Sequence, residues 1–390
     1  MASYTLKVRR YQPEATEDEK RGAYWDTFDV ELDPTLSVLD GLLQVRDGQD
    51  GSLAVRCSCR AAICGSCGVK VNGQSTLACK TQIGEAAEEA ARVHGAGPDE
   101  PIVVEPMGNM PVVKDLVTDM ESTHWEKYRR VTPWLLPEGP PPEREYIVPA
   151  EAMVDVTQSV ACIQCGACVS ACLSMEADPG FIGPAALAKA YRFVGDPRDG
   201  QTTERLYDLA NDPHGIYDCT HCFACIEACP KGVAPMNQIM RLRRLAGDEH
   251  DIQDVNNGRN HELAFVKNIG KKGTLDESLL LQESFAPGIK GKLMPRIAAI
   301  KGLIQSIPTA IRGIRTGKMR SVPKLIPGVH HKLPGDSQGH VKRIYERAEE
   351  SNIQLNLYII GEGGEEEHLP AQEGPAADIE APSQAEEVSP

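Results

Sequence analysis

Long apolar stretches are missing from this sequence of 390 residues. No stretch approaches the roughly 20 apolar residues that span a bilayer, which excludes a protein with membrane-spanning helices of its own. The N-terminal segment has neither an apolar core nor a small-residue cleavage site, so we expect no export signal. The sequence therefore predicts a soluble chain, or one that a partner holds at a membrane.

Motifs of nucleotide-binding and hydrolytic enzymes are missing as well. The sequence holds no phosphate-binding loop, no dinucleotide fingerprint and no recognisable catalytic nucleophile. The formal net charge is −15, and the last thirty residues hold nine acids without a single Lys or Arg. Subtracting these nine acids leaves −6 for the other 360 residues, which gives no indication of nucleic-acid binding. We expect no substrate chemistry from this chain alone.

Cysteine is the residue that the sequence has in excess, with thirteen in all. Disulfide bonds on this scale would require an exported protein, whereas cysteine groups in a reducing compartment favour metal binding. Twelve of the thirteen fall into three tight groups with recognisable spacing, and these are Cys59, Cys64, Cys67 and Cys79; Cys162, Cys165, Cys168 and Cys172; and Cys219, Cys222, Cys225 and Cys229.

The second and third groups repeat one pattern, Cys-x2-Cys-x2-Cys-x3-Cys, in CIQCGACVSAC and CTHCFACIEAC. This is the iron–sulfur pattern of bacterial ferredoxins, in which the fourth cysteine serves the other cluster. It predicts a middle ligand set and a distal ligand set, which are Cys162, Cys165, Cys168 and Cys229, and Cys172, Cys219, Cys222 and Cys225. Zinc is the alternative, but a zinc site needs two cysteine pairs and leaves the repeated run unexplained.

The first group has a different spacing, Cys59-x4-Cys64-x2-Cys67 followed by Cys79, which is typical of plant-type [2Fe–2S] proteins with a shortened final gap. These four cysteines form the N-terminal ligand set. Gly65 and Gly68 allow the loop backbone to fold closely around a cluster. Cys57 fits no ligand position and is interpreted as a spare thiol. Three clusters on one chain predict an electron-transfer path, with the substrate chemistry on a cofactor in a partner subunit.

Residues 1–115 are predicted to form a β-rich domain. YTLKVRRY and WDTFDVEL alternate apolar and polar residues as paired strands do, and PIVVEPM predicts a last strand. GVKVNG predicts a strand ending in an Asn-Gly turn, and SVLDGLLQVRD predicts a short helix. Residues 116–149 form a predicted linker that contains the Pro-rich stretch LLPEGPPPERE.

Residues 150–250 are predicted to be mainly helical. PAALAKAYRFV and MNQIMRLRRLAG have helical spacing, with Pro184 near the start of the first and Gly247 just past the end of the second. Residues 251–360 form a C-terminal extension that includes a basic segment at 289–324 and a predicted strand, NIQLNLYII. Residues 361–390 form an acidic tail that cannot bury a core, and we expect this tail to be disordered.

Five motifs in the same order show a resemblance to a known family: VRRYQPE, CRAAICGSCGVKVNGQSTLAC, PMGNMPVVKDLV, CIQCGACVSACLSMEADPGFIGPAALAKAYRFVGDPRD and CTHCFACIEACPKGVAPMNQIM. Over roughly residues 3–250 the sequence resembles the iron–sulfur subunit of succinate dehydrogenase and fumarate reductase. The resemblance implies an α+β fold, with an N-terminal β-grasp [2Fe–2S] ferredoxin domain, an α-helical two-cluster ferredoxin-like domain and a C-terminal extension.

The resemblance also implies partners and a location. A flavoprotein subunit would carry FAD, where succinate and fumarate interconvert. Electrons would pass through a [2Fe–2S], a [4Fe–4S] and a third cluster to a quinone at a membrane-anchor subunit. The expected activity is that of a succinate:quinone oxidoreductase, running in either direction. The chain would be peripheral, held by its partners on the cytoplasmic side of the cell membrane.

The distal ligand set departs from the family pattern. The third cluster of the family is usually [3Fe–4S], which here would be held by Cys172, Cys219 and Cys225, and the remaining corner is usually apolar. In this sequence that corner is Cys222, which is predicted to complete a second [4Fe–4S] cluster. Four-cysteine variants resemble the archaeal-type and thiol-linked branches of the family. The alternative function is therefore a fumarate reductase linked to thiols or a heterodisulfide-type partner.

The quinone site departs from the family pattern too. The run that ends at Cys172 lacks the usual Pro and the tryptophans after it, and Thr220 replaces the usual His. His221, one place later, is either a residue near a quinone or a packing residue. The basic segment 289–324 is either a membrane- or anchor-docking segment or a solvated helix pair. A further alternative, from another class, is a zinc-stabilised interaction module without a redox role.

Overall fold

The computed structural model describes residues 1–14, 22–94, 100–140, 142–148, 150–252, 258–275, 280, 284 and 336–350. The basic segment 289–324, the predicted strand NIQLNLYII and the acidic tail 361–390 lie outside the described residues, so these interpretations stay predictions.

The N-terminal part is built on a mixed five-stranded sheet. Its strands are β1 (Ala2–Gln12), β2 (Gly22–Leu32), β3 (Gly68–Val71), β4 (Gln74–Leu77) and β5 (Ile102–Glu105), in the order β2-β1-β5-β3-β4. β1 pairs antiparallel with β2 and parallel with β5, and β3 pairs antiparallel with β4 and β5. Helices α1 (Val38–Gly48) and α2 (Ile83–His94) complete this part. The predicted β-rich architecture is confirmed.

Local signals in the sequence explain how these elements begin and end. Ser37 caps α1: its Oγ accepts a hydrogen bond from the Asp40 N–H at 3.2 Å, and the Asp40 carboxylate accepts one from the Ser37 N–H at 2.9 Å. Asn72 and Gly73, with φ of 49° and 84°, form the predicted tight turn between β3 and β4. Leu6 and Val8 of β1 alternate inward and pack with Leu39 of α1 in one core cluster.

A buried ion-pair network joins β1 to the end of this part. Arg10 is 1% exposed, and its Nε donates to Oδ1 of the fully buried Asp115 at 3.0 Å. Its Nη1 donates to the Asp50 carboxylate at 2.6 Å. Asp115 lies between the short strands β6 (Val112–Lys114) and β7 (Val117–Thr118). The network therefore anchors the β6–β7 hairpin to the sheet, because a buried charge needs its partners.

The second part is helical, as predicted. A π turn at Glu121–Trp125 leads into α3 (Glu126–Arg130). The later elements are α4 (Ala150–Val160), α5 (Ala167–Ser170), α6 (Leu173–Ala177), α7 (Pro184–Val194), α8 (Thr202–Asn211), a 3₁₀ turn (Ile216–Asp218), α9 (Ala224–Glu227), α10 (Pro235–Arg244) and a π turn (Leu245–Glu249). Helix α7 is the centre of this part, since nine of its eleven residues are buried.

Two helices show where local sequence signals predict a helix boundary correctly and where they do not. Pro184 occupies the first turn of α7 as predicted, where its missing N–H costs nothing. The α-helical part of α10 ends at Arg244 rather than just before Gly247, and the chain continues through Gly247 as a π turn. Ala246 of this turn is fully buried, so packing rather than glycine sets the local geometry.

Two helices of the C-terminal extension are described, α11 (Gly258–Lys272) and α12 (Ser337–Glu350). They approach each other so closely that a Cβ on Gly270 would lie 2.9 Å from the Tyr345 ring. At its N-terminal end α11 approaches the 3₁₀ turn, because a Cβ on Gly258 would lie 2.4 Å from the Tyr217 Cβ. Among the helices described, none is long and apolar enough to cross a membrane.

Candidate metal centres

The loop of the N-terminal ligand set directs backbone donors at its sulfurs. Arg60 and Ala62 adopt left-handed φ angles of 53° and 54°, which turn the amides of the loop inward. As a result, the N–H groups of Ala61, Ile63 and Cys64 donate to the Cys59 Sγ at 3.3–3.4 Å. The Ala62 N–H donates to the Cys79 Sγ at 3.3 Å. Such a concave arrangement of amides stabilises anionic sulfur, as a metal thiolate requires.

The thiols of this loop differ in environment. Cys59 and Cys64 are exposed, and Cys67 is buried. Hydrogen bonds from the Ser66 hydroxyl and from the Cys59 N–H lower the pKa of Cys64 to about 6. Burial raises the pKa of Cys67 to about 12, so a cation is needed to keep it as a thiolate. Outside this set, the Cys57 thiol is half-buried.

The middle ligand set surrounds a cavity. Cys162, Cys165, Cys168 and Cys229 all line it. Burial raises the pKa of Cys165 to about 11 and raises the pKa of Cys168 well above its ordinary value. The structure therefore brings together the four cysteines that the interlocked repeat predicts. One buried and three half-buried cysteines that line one cavity fit a bound metal cluster.

The distal ligand set is brought together in the same way. Cys172 and Cys225 are buried, Cys219 is half-buried and Cys222 is exposed. Burial raises the pKa of Cys225, and the neighbouring Cys219, Cys172 and Cys222 raise it further. The four thiols thus lie within electrostatic reach of one another, and Cys222 is among them rather than turned away.

The two repeats share one loop conformation. Gln164 and Gly166 of the first repeat have φ of 59° and 79°, and His221 and Phe223 of the second have 56° and 64°. Left-handed backbone at these positions curls each loop around its cysteines. Glycine adopts it without strain, whereas a residue with a Cβ pays about 1–2 kcal/mol. Phe223 carries this strain and is also 52% exposed.

The cysteine-bearing segments lie in contact one after another. A Cβ on Gly65 would lie 2.7 Å from the Cβ of Cys165, so the N-terminal loop touches the middle ligand set. Helix α5, which carries Cys168 of the middle set, packs against α9, which carries Cys225 of the distal set. A hydrogen bond also joins β4 of the N-terminal part to α5, since the Ser75 and Ser170 hydroxyls lie 2.7 Å apart. The order along the molecule is N-terminal, middle and distal.

Two polar residues near these sites could not be predicted from the sequence, because neither belongs to a cysteine-spacing motif. His124 is 2% exposed and lines the cavity of the middle ligand set. Burial lowers its pKa to about 4, with a smaller opposing effect of the Gln164 backbone, so its imidazole is neutral. Arg243 is buried beside the distal ligand set, where its Nη2 donates to the Cys219 carbonyl at 2.9 Å.

His221, the predicted quinone-proximal residue, is paired with this arginine. The Arg243 Nη1 lies 2.6 Å from the His221 Nε2, and burial and the guanidinium charge lower the pKa of His221 to about 4. A neutral His221 therefore accepts this hydrogen bond. Arg243 also lies 3.7 Å from the Glu262 carboxylate of α11, which connects the C-terminal extension to the distal ligand set.

Family comparisons agree with the two kinds of cysteine site. A family model described as a 2Fe-2S iron-sulfur cluster binding domain matches residues 5–125. A second, described as a 4Fe-4S dicluster domain, matches residues 158–233. The prediction of iron–sulfur domains in this order is confirmed.

Individual relatives agree as well. The fumarate reductase iron-sulfur subunit of Mycobacterium tuberculosis is 37% identical over 248 residues, which are 63% of this chain and 94% of that protein. The succinate dehydrogenase iron-sulfur subunit of Coxiella burnetii is 32% identical over 242 residues, 61% of this chain and 95% of that protein. A chain of the Mycobacterium smegmatis Sdh1 complex in the apo form superposes with a TM-score of 0.54 at 26% identity, covering 63% of this chain and 96% of that chain.

Proposed function

Because this chain belongs to the family of iron–sulfur subunits of succinate dehydrogenase and fumarate reductase, we propose that it passes electrons between FAD in a flavoprotein partner and a quinone. The observation that carries the proposal is the series of contacts between the segments of the three ligand sets, from Gly65 against Cys165 to α5 against α9, the helices of Cys168 and Cys225. Such a series suits electron transfer, and the sequence offers no site for substrate chemistry.

The three ligand sets would hold three clusters, which supply one-electron redox chemistry when bound. A [2Fe–2S] cluster fits Cys59, Cys64, Cys67 and Cys79, because backbone donors already face three of their sulfurs. A [4Fe–4S] cluster fits the cavity among Cys162, Cys165, Cys168 and Cys229. The chain's own contribution is to keep these thiols anionic, orient them and exclude water from the buried ones.

The third cluster would lie among Cys172, Cys219, Cys222 and Cys225. We assign it as [4Fe–4S], because Cys222 acts on the other members of its set and lies on a loop shaped like that of the first repeat. A [3Fe–4S] cluster would form there if Cys222 did not bind iron. Four thiolate ligands leave no iron uncoordinated, so the reduction potential would be lower than that of a three-iron centre.

The partners follow from the family rather than from contacts of this chain. A flavoprotein would supply or take electrons at the N-terminal ligand set, and a membrane-anchor subunit would offer the quinone near the distal set. The complex would be a succinate:quinone oxidoreductase at the cytoplasmic face of the cell membrane. His221 would be the residue nearest the quinone, held neutral by burial and Arg243.

The proposal predicts that activity requires the assembled complex. The purified complex should oxidise succinate with a quinone analogue as acceptor, whereas this chain alone, loaded with iron and sulfide, should reduce no dye with succinate. The measurement is anaerobic turnover of both samples with the same acceptor. Succinate-dependent turnover by the chain alone would contradict the proposal, as would a zinc-containing, iron-free chain from anaerobic purification.

A further inference from the structure

His124 is a buried polar side chain whose hydrogen bonds are unaccounted for. It is 2% exposed, and neither Nδ1 nor Nε2 makes a hydrogen bond of regular geometry with the described residues, although the Gln164 backbone lies close enough to act on the ring. An imidazole buried in this way costs about 1–3 kcal/mol of free energy unless something in the assembled protein satisfies it. The orphaned nitrogens therefore point to a partner that the polypeptide itself does not supply.

The location of His124 limits what this partner can be. Its ring lies in the wall of the cavity formed by Cys162, Cys165, Cys168 and Cys229. Aromatic rings pack against it: Trp125 packs edge-on at 4.8 Å between ring centroids, and Tyr128, whose hydroxyl lies near the Cys162 thiol, packs at 5.6 Å. The π turn at Glu121–Trp125 gives this short segment its wide backbone curve. These neighbours hold the imidazole in the wall of the cavity.

We propose that His124 donates a hydrogen bond from one ring N–H to a sulfur of the cluster held by the middle ligand set, and that this bond raises the cluster's reduction potential. The inference rests on the proposed [4Fe–4S] assignment of that cavity and goes beyond it by naming a residue that sets the potential.

The physical reason is the change of charge on reduction. A reduced cluster is more negative than an oxidised one, so a hydrogen bond to its sulfur stabilises the reduced form more. In a dry cavity such a bond is stronger than in water, because no solvent screens it. A neutral imidazole has one N–H to donate, which suffices for a single bond to sulfur. Loss of the donor should therefore make the cluster harder to reduce.

The test uses the complete complex and three substitutions. His124→Phe removes the donor but keeps a planar ring, and His124→Gln keeps an N–H donor. Trp125→Phe alters the neighbouring residue of the same turn and leaves His124 in place. Each variant is titrated with reductant while EPR follows the reduced [4Fe–4S] signal of the middle cluster, which is the one that remains when Cys222→Val removes the distal [4Fe–4S] cluster. We expect His124→Phe to lower the reduction potential of the cluster. At the midpoint potential of the wild type, the ratio of reduced to oxidised cluster should then fall several-fold. A tenfold fall corresponds to 59 mV for one electron. His124→Gln and Trp125→Phe should stay nearer the wild type.

A second measurement looks for the bond directly. With ¹⁵N-labelled histidine, pulsed EPR of the reduced cluster in the wild type should show a weak nitrogen coupling. The coupling should persist in His221→Phe, which controls for the histidine beside the distal ligand set. If the wild type has a [4Fe–4S] signal but no histidine coupling, or if His124→Phe leaves the potential unchanged, this inference is wrong. Absence of any [4Fe–4S] signal in the wild type would instead overturn the proposed function.

Discussion

Cys222 is the residue that distinguishes the distal ligand set from the usual three-cysteine arrangement. It is exposed, yet it acts electrostatically on Cys172 and Cys225. An exposed thiol without a metal would have no reason to lie among three half-buried or buried ones. Its position therefore supports a fourth ligand, and the number of cysteines sets how firmly the last iron is held.

Replacing Cys222 by Val should convert the third cluster to a three-iron form. The uncoordinated iron is lost readily, and an oxidised [3Fe–4S] cluster gives a sharp EPR signal where an oxidised [4Fe–4S] cluster is silent. We expect anaerobically purified, oxidised wild-type complex to be nearly silent and Cys222→Val to gain this signal. Cys57→Val is the control, since Cys57 fits no ligand position. A full three-iron signal in undamaged wild type would show that Cys222 binds no iron.

Phe223 is the strained counterpart of Gly166. Both lie in the left-handed region, with φ of 64° and 79°, but only the phenylalanine carries a Cβ. Phe223→Gly should relieve about 1–2 kcal/mol of strain and lose about 0.5–1 kcal/mol through greater freedom of the unfolded chain. The net stabilisation is about 0.5–1 kcal/mol, which should appear as a higher midpoint for thermal loss of cluster absorbance.

The reverse substitution provides the control. Gly166→Ala should lower the same midpoint, because the new Cβ is strained at this φ and would lie 3.2 Å from the Met120 Cε. If Phe223→Gly lowered the midpoint instead, the ring would be making a stabilising contact that outweighs its backbone strain.

At the scale of elements, the contact between the β5–β6 loop and α5 joins the two parts of the molecule. Asn109 Nδ2 donates to the carbonyls of Val169 at 2.8 Å and Cys172 at 2.9 Å, and the Gly108 N–H donates to the Ser170 hydroxyl at 2.8 Å. These bonds hold the sheet domain against the helical part, so the spacing between the first two ligand sets is set by packing.

Gly65→Ala should disturb this spacing. Its Cβ would lie 2.7 Å from the Cys165 Cβ and 2.8 Å from the Cys165 Cα, so one of the two loops must move. We expect slower succinate-dependent reduction of the [4Fe–4S] cluster, measured by rapid-freeze EPR, with the [2Fe–2S] cluster still reduced. Gly73→Ala is the matched control, because Gly73 has a similar φ of 84° but no atom within 4 Å. Equal effects of the two variants would indicate backbone strain rather than the contact.

Much of the fold and most of the site could be predicted from the sequence. Alternating strands, a helix cap and an Asn-Gly turn are local signals, and the cysteine spacing is itself set by the geometry of a cluster. His124, Arg243 and the burial of Arg10 could not be predicted, because each depends on residues far away in the sequence. Arg10 even follows the inward alternation of β1 as if it were apolar, and only Asp115 explains why a charge is stable there.

At the scale of the whole molecule, the chain is longer than the relatives it matches, since they cover 61–63% of it. The extension reaches back to the core through α11, where Glu262 approaches Arg243 and Gly258 lies against Tyr217. The described part of the extension is therefore attached to the region of the distal ligand set.

Deleting residues 361–390 should leave cluster content and complex activity nearly unchanged. This tail holds nine acids and no Lys or Arg, a composition that does not support a packed core. Iron and sulfide analysis together with quinone-reductase activity of the assembled complex checks the prediction. A large loss of assembled complex would show instead that the tail docks on a partner subunit.

The middle ligand set takes cysteines from both repeats, so it is completed late during translation. Cys162, Cys165 and Cys168 leave the ribosome well before Cys229, which lies about 60 residues further along. At roughly 5–20 residues per second, the first three thiols wait about 3–12 seconds for the fourth. During this interval they are open to solvent and to oxidants. A cell that makes this protein must therefore protect a half-built site, or keep its surroundings reducing, until translation has passed the second repeat.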